Sequence, residues 1–440
     1  MSFDSAPLGS LLSDKGYIRG PFGSALKRQE LKTEGIPVYE QQQAIDGHRN
    51  FRFFVDQEKF NELKRFAVKQ NDLIVSCSGT VGRISVIEEG HPLGLISQAL
   101  LILRPKDDVL LPRFLYYFLL SPQGKSELVN ASQGAVQLNI APRAVVEKIP
   151  TPVPSIAEQE RIVHFLCCLD DRIALLGETN ATLEAIAQAL FKSWFVDFDP
   201  VHAKQQGRAP EGMDEATAAL FPYSFEESEL GLVPKGWGTC PIYDWATYIN
   251  GAAYKAFEPN SERRGLPIIK IAELKSGVTS QTAYSDVAMP EKYRIETGDI
   301  LFSWSGNPDT SIDSFVWQHS QAWLNQHIFR VIPHAAKERS FVLQMLKHLR
   351  PVFAELARNK QTTGLGHVTV ADMKRLHVIR PDKAALDLFN ETVAPIHERV
   401  FENEKQTQTL ATLRDTLLPR LISGQLRLPE AEAMLEEVGS

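Results

Sequence analysis

Cysteine is scarce in this chain, with four among 440 residues, and these four form no CxxC pair. We therefore expect neither a disulfide framework nor a cysteine zinc site. Long apolar runs are also missing: no stretch of about 18 residues is apolar and free of charge throughout, so we expect no transmembrane helix. The first residues carry no basic segment ahead of an apolar one, and we expect a reduced, cytoplasmic protein.

The chain also lacks an excess of basic charge, since 47 Lys and Arg face 54 Asp and Glu for a net charge of −7. Over the whole chain, this balance argues against a nucleic-acid partner. The chain does contain 43% hydrophobic residues, which excludes wholesale disorder. Its length predicts two or three domains, each with its own core.

The sequence repeats itself at an offset of 227 to 230 residues. Three pairs of segments carry much of the match: 71–79 with 298–306, 98–105 with 326–333, and 169–173 with 396–400. A nearly constant offset over more than a hundred residues indicates a duplication. Each copy begins with a mixed segment that contains predicted strands (72–76, 99–103) and predicted helices (113–120, 340–349).

Each copy ends in a predicted long helix whose hydrophobic residues alternate at spacings of four and three, the pattern of a coiled-coil seam. Ser155 and Glu158 form a capping box at the start of the first helix, 156–195. In the second helix Pro395 is expected to cause a kink or to begin a new helix. The seam residues are Ile162, Leu166, Leu169, Ile173, Leu176, Leu183 and Leu190 in the first helix, and Val393, Ile396, Val400, Leu410 and Leu417 in the second. The alternative is a helix in an ordinary bundle core.

These patterns predict an α+β fold: two similar mixed α/β domains separated by two long, paired antiparallel helices, with a pseudo-twofold internal repeat. Neither helix could bury its seam alone, so we expect the two to pack on each other. The predicted parts are a first lobe at 1–154, a long helix at 155–199, a linker at 200–235, a second lobe at 236–381, a long helix at 382–424 and a tail at 425–440.

The net charge changes sign along the repeat. Residues 1–150 and 236–380 carry +2 and +4, whereas residues 151–200, 201–235 and 381–440 carry −5, −3 and −5. Phosphate contacts need only a locally basic face, so the acidic total does not exclude DNA binding by the lobes.

Catalytic motifs are not convincing. Gly124-Lys125-Ser126 is similar to the end of a phosphate-binding loop, but Leu119 stands where the first glycine would be. Gly364-Leu365-Gly366 lacks the glycine spacing of a dinucleotide or S-adenosylmethionine site, and no His/Cys cluster has zinc spacing. A self-contained methyltransferase or nuclease is therefore the weaker alternative.

Basic and amide side chains in predicted loops of the lobes are the candidates for DNA contacts, since these types reach phosphates and base edges. In the first lobe they are Lys27, Arg28, Ser78, Thr80, Arg83, Gln133, Gln137, Asn139 and Arg143. In the second lobe they are Tyr254, Lys255, Arg263, Arg264, Asn307, Asn359, Lys360, Gln361 and His367. For each, the alternative is a solvated surface side chain. Trp304, which aligns with Cys77, is predicted to be a packing residue. Because the lobes differ at nearly every candidate position, we expect them to read different sequences.

Three segments resemble type I restriction enzyme specificity subunits. Residues 152–162, with 190–195, resemble their first conserved region; 230–237 resembles the entry to their second target-recognition domain; and 413–424 is similar to the end of their second conserved region. One departure is that the second helix opens with Asp382-Lys383-Ala384-Ala385 instead of an Ala-Glu-Gln pattern.

The resemblance implies a non-catalytic reader of double-stranded DNA, in which each target-recognition domain reads one half of an asymmetric bipartite site. It implies that the helices set the spacing and dock two modification (methyltransferase) subunits, which motor-nuclease restriction subunits join. It further implies no cofactor on this chain, with S-adenosylmethionine, ATP and Mg²⁺ on the partner subunits. A two-lobed scaffold that binds only proteins would have similar helices and remains the interaction-class alternative.

Overall fold

The computed structural model describes residues 3–22, 25–78, 80–130, 140, 142–361 and 365–439. They divide into two compact units. The first unit comprises Met1–Ala174 with Thr407–Ser440, and the second comprises Leu175–Gln406. Each unit therefore contains one lobe together with part of each long helix.

The first lobe is built on an antiparallel sheet. The strands of this lobe are β1 (Ser5–Pro7), β2 (Leu12–Arg19), β3 (Ile36–Tyr39), β4 (Phe54–Val55), β5 (Leu73–Ser76), β6 (Ile84–Val86), β7 (Leu95–Ile96), β8 (Leu100–Pro105) and β9 (Pro150–Pro152). Its helices are α1 (Leu8–Leu11), α2 (Gln41–Ile45), α3 (Gln57–Glu62), α4 (Pro112–Leu120), α5 (Pro122–Asn130) and α6 (Arg143–Val146). The sheet has the order β2-β8-β5-β6, and β4-β3-β7 forms a smaller sheet. Continuous apolar runs in β5 and β8 are fully buried, as expected for strands covered on both faces.

The second unit contains the second lobe and the segment before it. Its helices after the first long helix, α7 (Ile156–Phe195), are α8 (Asp199–Gln205), α9 (Glu215–Ala219), α10 (Ile271–Ser276), α11 (Arg339–His348), α12 (Arg350–Arg358) and α13 (Val370–Arg375). Its strands are β10 (Phe225–Ser228), β11 (Gly231–Pro234), β12 (Gly238–Pro241), β13 (Ala246–Asn250), β14 (Leu266–Ile269), β15 (Tyr284–Ser285), β16 (Arg294–Ile295), β17 (Ile300–Ser303), β18 (Ser305–Gly306), β19 (Asp313–Val316), β20 (Ala322–Leu324), β21 (Ile328–Pro333), β22 (Gly366–His367) and β23 (His377–Arg380).

The internal repeat is present in the topology and in the strand register. The sheet β13-β21-β17-β19 has the same connections as β2-β8-β5-β6, and β15-β14-β20 repeats β4-β3-β7, including its one parallel pair. In the central pair, Ser76 lies opposite Leu100 in the first lobe, and Ser303 lies opposite Ile328 in the second. The prediction of two similar α/β domains is thus confirmed.

The two long helices are α7 and α14 (Lys383–Ser423), and a short α15 (Leu428–Gly439) follows. In the second unit, the Asn403 side-chain amide donates to Asn180 Oδ1 at 2.8 Å, while the ring of Phe389 lies 5.0 Å from that of Phe195. The later residue of α7 thus meets the earlier residue of α14, so the helices are antiparallel there. In the first unit, Arg414 of α14 donates to Asp170 of α7 at 2.7 Å.

The seam residues are buried or half-buried along both helices. Buried are Ile162, Leu166, Leu169, Leu176, Val393, Val400, Leu410 and Leu417; half-buried are Ile173, Leu183, Leu190 and Ile396.

Of the two outcomes expected at Pro395, a kink or the start of a new helix, the second does not occur, since α14 continues through this residue. One further expectation needs correction. The segment predicted as a linker, 200–235, is folded. It contains most of α8 and all of α9, β10 and β11, and its residues Val201, Phe221 and Val233 are buried in the core of the second unit. These elements are four to seven residues long, too short to produce a hydrophobic period in the sequence.

Candidate nucleic-acid interface

A basic cleft of about 920 Å³ opens beside the central sheet of the first lobe. Its charged lining residues are Asp14, Lys15, Arg19, Lys64, Arg65, Lys69, Arg104 and Arg143. Apart from Asp14 these are all basic, so the cleft concentrates positive charge that the lobe's net +2 does not reveal. Such a surface attracts a polyanion.

Several cations of this basic cleft are available to a ligand. Arg104 is bound to Asp72 at 2.6 Å, and Arg143 to Glu147 at 2.6 Å. Within the described part of the chain, no carboxylate forms an ion pair with the remaining five, which are Lys15, Arg19, Lys64, Arg65 and Lys69.

A second pocket of the first lobe, about 690 Å³, is rich in amides. Gln41, Gln42, Asn50 and Gln98 line it together with Arg28 and Arg52. The Gln41 side chain donates to the carbonyl of Ser78 at 2.5 Å and holds the loop after β5 against the start of α2. Amide and guanidinium groups are the side chains that read base edges in DNA grooves.

The first-lobe candidates are divided between these two pockets. Arg28 lines the amide pocket, and Arg143 lines the basic cleft, where its guanidinium lies 5.5 Å from the ring of Tyr17. Lys27, Thr80 and Arg83 are exposed, and Ser78 is half-buried. Gln133, Gln137 and Asn139 lie outside the described residues.

The second lobe carries an aromatic and imidazole cluster where β17 ends. Trp304 packs against Phe329, with ring centroids 5.7 Å apart, and lies 5.8 Å from the rings of both His327 and His367. Its indole N–H donates to Asn250 Oδ1 at 3.0 Å, and His367 Nδ1 is 2.9 Å from Ser305 Oγ. Burial, together with the neighbouring His367, lowers the pKa of His327, so this imidazole is neutral near pH 7.

Other second-lobe candidates make local contacts. The Lys360 ammonium lies 2.5 Å from Asp372. Burial would raise the pKa of the Asp372 carboxyl, but the bonds from Lys360 and Thr369 outweigh that effect and lower it. Asn307 accepts backbone N–H groups of its own turn. Lys360 and Asn307 are thus both bound to groups of their own lobe.

The two arginines after β13 are also paired. Arg264 donates to Asp286 at 2.8 Å, and Arg263 donates to the Tyr284 hydroxyl at 2.9 Å. The remaining candidates, Tyr254, Lys255, Asn359 and Gln361, are exposed. Among the described residues, three basic candidates of the second lobe, Arg263, Arg264 and Lys360, are therefore bound to neighbouring side chains, whereas five cations of the basic cleft form no ion pair.

Sequence reasoning missed the residues that make the two surfaces distinctive. Arg19 and Asn250 end their strands rather than lying in loops, and Lys64, Arg65 and Lys69 precede β5. The repeat could have identified Arg19 and Asn250, because Arg19-Gly20 and Asn250-Gly251 occupy corresponding places in the two copies.

Among the residues that the structure describes, no group of three His, Cys, Asp or Glu side chains could hold a metal ion. In the same part of the chain, no helix is long and apolar enough to cross a membrane.

The fold defines a class of protein with a duplicated α/β lobe joined to long antiparallel helices, and sequence comparison identifies the family. The profile of the family described as "Type I restriction modification DNA specificity domain" matches residues 23–185 and again residues 234–408. The chain therefore belongs to the family of type I restriction-modification specificity subunits.

Individual proteins with similar sequences are also type I restriction enzyme specificity subunits. The chain is 25% identical over 404 residues to the type I restriction enzyme HindI specificity subunit of Haemophilus influenzae, with 82% of this chain and 87% of that protein covered. It is 24% identical over 395 residues to the MjaIX specificity subunit of Methanocaldococcus jannaschii, with 87% and 85% covered. A crystal structure of the type I restriction-modification S subunit from M. genitalium has a similar fold, with a TM-score of 0.53, 16% identity and 96% of each chain covered.

Proposed function

We propose that each lobe of this specificity subunit reads one half of an asymmetric bipartite site in duplex DNA. The observation that carries the proposal is a repeated fold with unlike surfaces: the first lobe has the basic cleft, and the second has Trp304 with two imidazoles in the corresponding region. One scaffold that presents different side chains at corresponding positions suits two different half-sites.

The long helices are the proposed spacer and docking element. Helices α7 and α14 contain 40 and 41 residues, so each is about 60 Å long at 1.5 Å per residue. We assign them the spacing of the half-sites and the binding of two modification subunits, which motor-nuclease subunits join. The chemistry, with S-adenosylmethionine, ATP and Mg²⁺, is assigned to those partners, and the cytoplasm is the proposed location.

Mapping of methylated adenine tests the proposal. This chain is co-expressed with the modification subunit of the same system in a host without other adenine methylation, and the host DNA is sequenced for methyladenine. We expect one motif with two unlike specified halves and an unspecified gap. A contiguous or palindromic motif would contradict the assignment of one half-site to each lobe.

Charge substitution separates DNA reading from a scaffold that binds only proteins. Replacing Lys64 and Lys69 by Gln should weaken binding of the assembled complex to duplex DNA, because both cations line the basic cleft. The matched control is Lys59→Gln, since Lys59 is already paired with Glu30 at 2.8 Å and with Glu62 at 2.9 Å. Equal DNA affinity of the two variants would favour the scaffold.

A further inference from the structure

In each lobe, the edge strand of the four-stranded sheet, β2 or β13, ends at the same structural position. Arg19 ends β2 and lies opposite Leu101, while Asn250 ends β13 and lies opposite Phe329. Leu101 and Phe329 correspond in the sequence repeat, at an offset of 228. Arg19 and Asn250 are therefore structural equivalents.

A glycine after each of these residues fixes the chain at that point. A Cβ at Gly20 would lie 2.0 Å from the carbonyl oxygen of Ser97, and one at Gly251 would lie 2.2 Å from that of Asn325. No side chain fits at either distance, so only glycine allows the backbone to pass this close to the neighbouring carbonyl group. The Gly20 N–H donates to Leu100 O at 2.9 Å, and the Gly251 N–H donates to Ile328 O at 3.1 Å. The side chain before each glycine thus projects from a rigid position.

Each of the two side chains also lies near a residue at a corresponding position of its lobe. This residue directly follows strand β5 in the first lobe and strand β17 in the second. In the second lobe this residue is Trp304, whose indole N–H donates to Asn250 Oδ1 at 3.0 Å. In the first lobe it is Cys77, where burial raises the pKa of the thiol to about 12 and the nearby Arg19 charge opposes that rise. In the second lobe, Trp304 therefore holds the Asn250 side chain from one side and leaves its amide N–H groups for a ligand. In the first lobe, Cys77 lies near Arg19, but its thiol donates to the Val75 carbonyl at 3.3 Å.

The donors that remain differ between the lobes. Arg19 presents a guanidinium with several N–H groups in the basic cleft, where no carboxylate of the described residues pairs with it. Asn250 is exposed, and because Trp304 occupies one lone pair of Oδ1, its amide keeps two N–H donors and one acceptor position. A guanidinium matches O6 and N7 of guanine, and a carboxamide matches N6 and N7 of adenine.

We propose that Arg19 and Asn250 are the corresponding base-reading residues of the two lobes, Arg19 specifying a guanine in one half-site and Asn250 an adenine in the other. This inference rests on the proposed function, since it assumes that each lobe reads one half-site.

The test compares methylation motifs of the complex with single variants of this chain. Arg19→Gln and the control Lys15→Gln each remove one positive charge, but only Arg19→Gln removes the pair of donors for guanine O6 and N7, so it should lower discrimination for one guanine by about 10- to 100-fold, with the other half-site unchanged. Asn250→Ser should relax one adenine in the opposite half-site to a similar extent. The controls are Lys15→Gln, which removes a charge from the same cleft, and Thr247→Ala at an exposed position of β13.

The outcomes separate the inference from the proposed function. If Arg19→Gln leaves the motif unaltered, or Arg19→Gln and Lys15→Gln lower methylation evenly at all sites, Arg19 contacts phosphate or nothing, and the inference is wrong. Relaxation of the same half-site by both Arg19→Gln and Asn250→Ser would also overturn it. If Asn250→Ser fails to assemble, Asn250→Asp provides the second measurement, since it keeps the acceptor for Trp304 and loses the donors. A wild-type complex without a bipartite motif would instead refute the proposed function.

Discussion

At the scale of single residues, the duplication has kept a contact position and changed its chemistry. Tyr117 donates to Asp170 at 2.7 Å in the first unit, where a lobe helix meets α7. The repeat places Gln344 and His397 at the corresponding positions, and their side-chain nitrogens are 2.6 Å apart in the second unit. A charged carboxylate in one copy is therefore replaced by an imidazole in the other, and burial lowers the pKa of His397 to about 4.

This imidazole predicts a loss of stability in mild acid. The folded pKa of His397 is below the unfolded value of about 6.5, so its stabilising contribution is complete above pH 6.5 and is lost as the pH falls toward 4. The loss from this group is at most about 3 kcal/mol. Thermal unfolding between pH 7.5 and 4.5 measures it.

The control for this prediction is His397→Gln, which keeps a hydrogen-bonding side chain and cannot become charged. Burial also lowers the pKa values of His91, His319, His327 and His348, so the variant should still lose some stability in acid. Its loss should nevertheless be smaller than that of the wild type. Parallel melting curves for the two proteins would show that His397 is not a source of the pH dependence.

At the scale of elements, the long helices were predictable and the reading surfaces were not. The seam of α7 has a strict spacing over its whole length, and this period is visible in the sequence alone. In α14, Pro395 removes one helix hydrogen bond, but it is exposed, and Val393 and Val400 on either side are buried. That packing outweighs a proline penalty of about 3 kcal/mol, which is why the helix does not end there.

The basic cleft escaped prediction for a different reason. Its cations come from residues 14–19, 64–69, 104 and 143, and only the folded sheet brings these segments together. Candidates such as Lys360 had the right chemistry but pair with a nearby carboxylate that spacing could not reveal. Loop position and residue type thus predicted a basic lobe without predicting which side chains remain available.

The polar pair inside the helix seam provides a prediction at this scale. Asn403 donates to Asn180 Oδ1, and Asn180 donates to the Val400 carbonyl at 3.2 Å. Replacing Asn403 alone by Leu leaves Asn180 without that donor and should lower stability by about 1–3 kcal/mol. Replacing both by Leu should recover most of the loss, because neither polar group then remains unpaired.

Urea unfolding of the two single variants and the double variant measures this coupling. A polar pair in a seam also fixes the register of the two helices. A complex that contains the double variant should therefore methylate sites with more than one length of the gap between the half-sites. Strictly additive effects of the two substitutions would refute the coupling, and a single gap length in the double variant would refute the role in register.

At the scale of the whole molecule, charge and fold divide in the same way. The lobes carry the positive charge, and the helices with their neighbouring segments carry the negative charge. A net charge of only +2 and +4 on the lobes predicts weak binding of duplex DNA by the isolated chain, and we expect partner subunits to supply much of the phosphate contact.

Helix length provides the molecular-scale prediction. Deleting one heptad from α7 and the corresponding heptad from α14 removes about 10 Å from each helix, or about three base pairs at 3.4 Å each. If the helices set the spacing, the methylated motif should keep both halves while its gap shortens. Sequencing of methyladenine checks this, and an unchanged gap in an active variant would contradict the spacer role.

The composition of the first unit has a consequence for the order in which the protein folds during its synthesis. Ile162 and Leu166 of α7 belong to the same unit as Thr407–Ser440, which leaves the ribosome more than 230 residues later. The Phe3 amide likewise donates to the Ser423 carbonyl at 3.1 Å, so this unit joins two segments that are 420 residues apart in the sequence. The second unit is contiguous in sequence and can be completed earlier. A nascent chain that stalls before Thr407 therefore exposes an apolar helix face, which makes it a substrate for chaperones or for proteolysis.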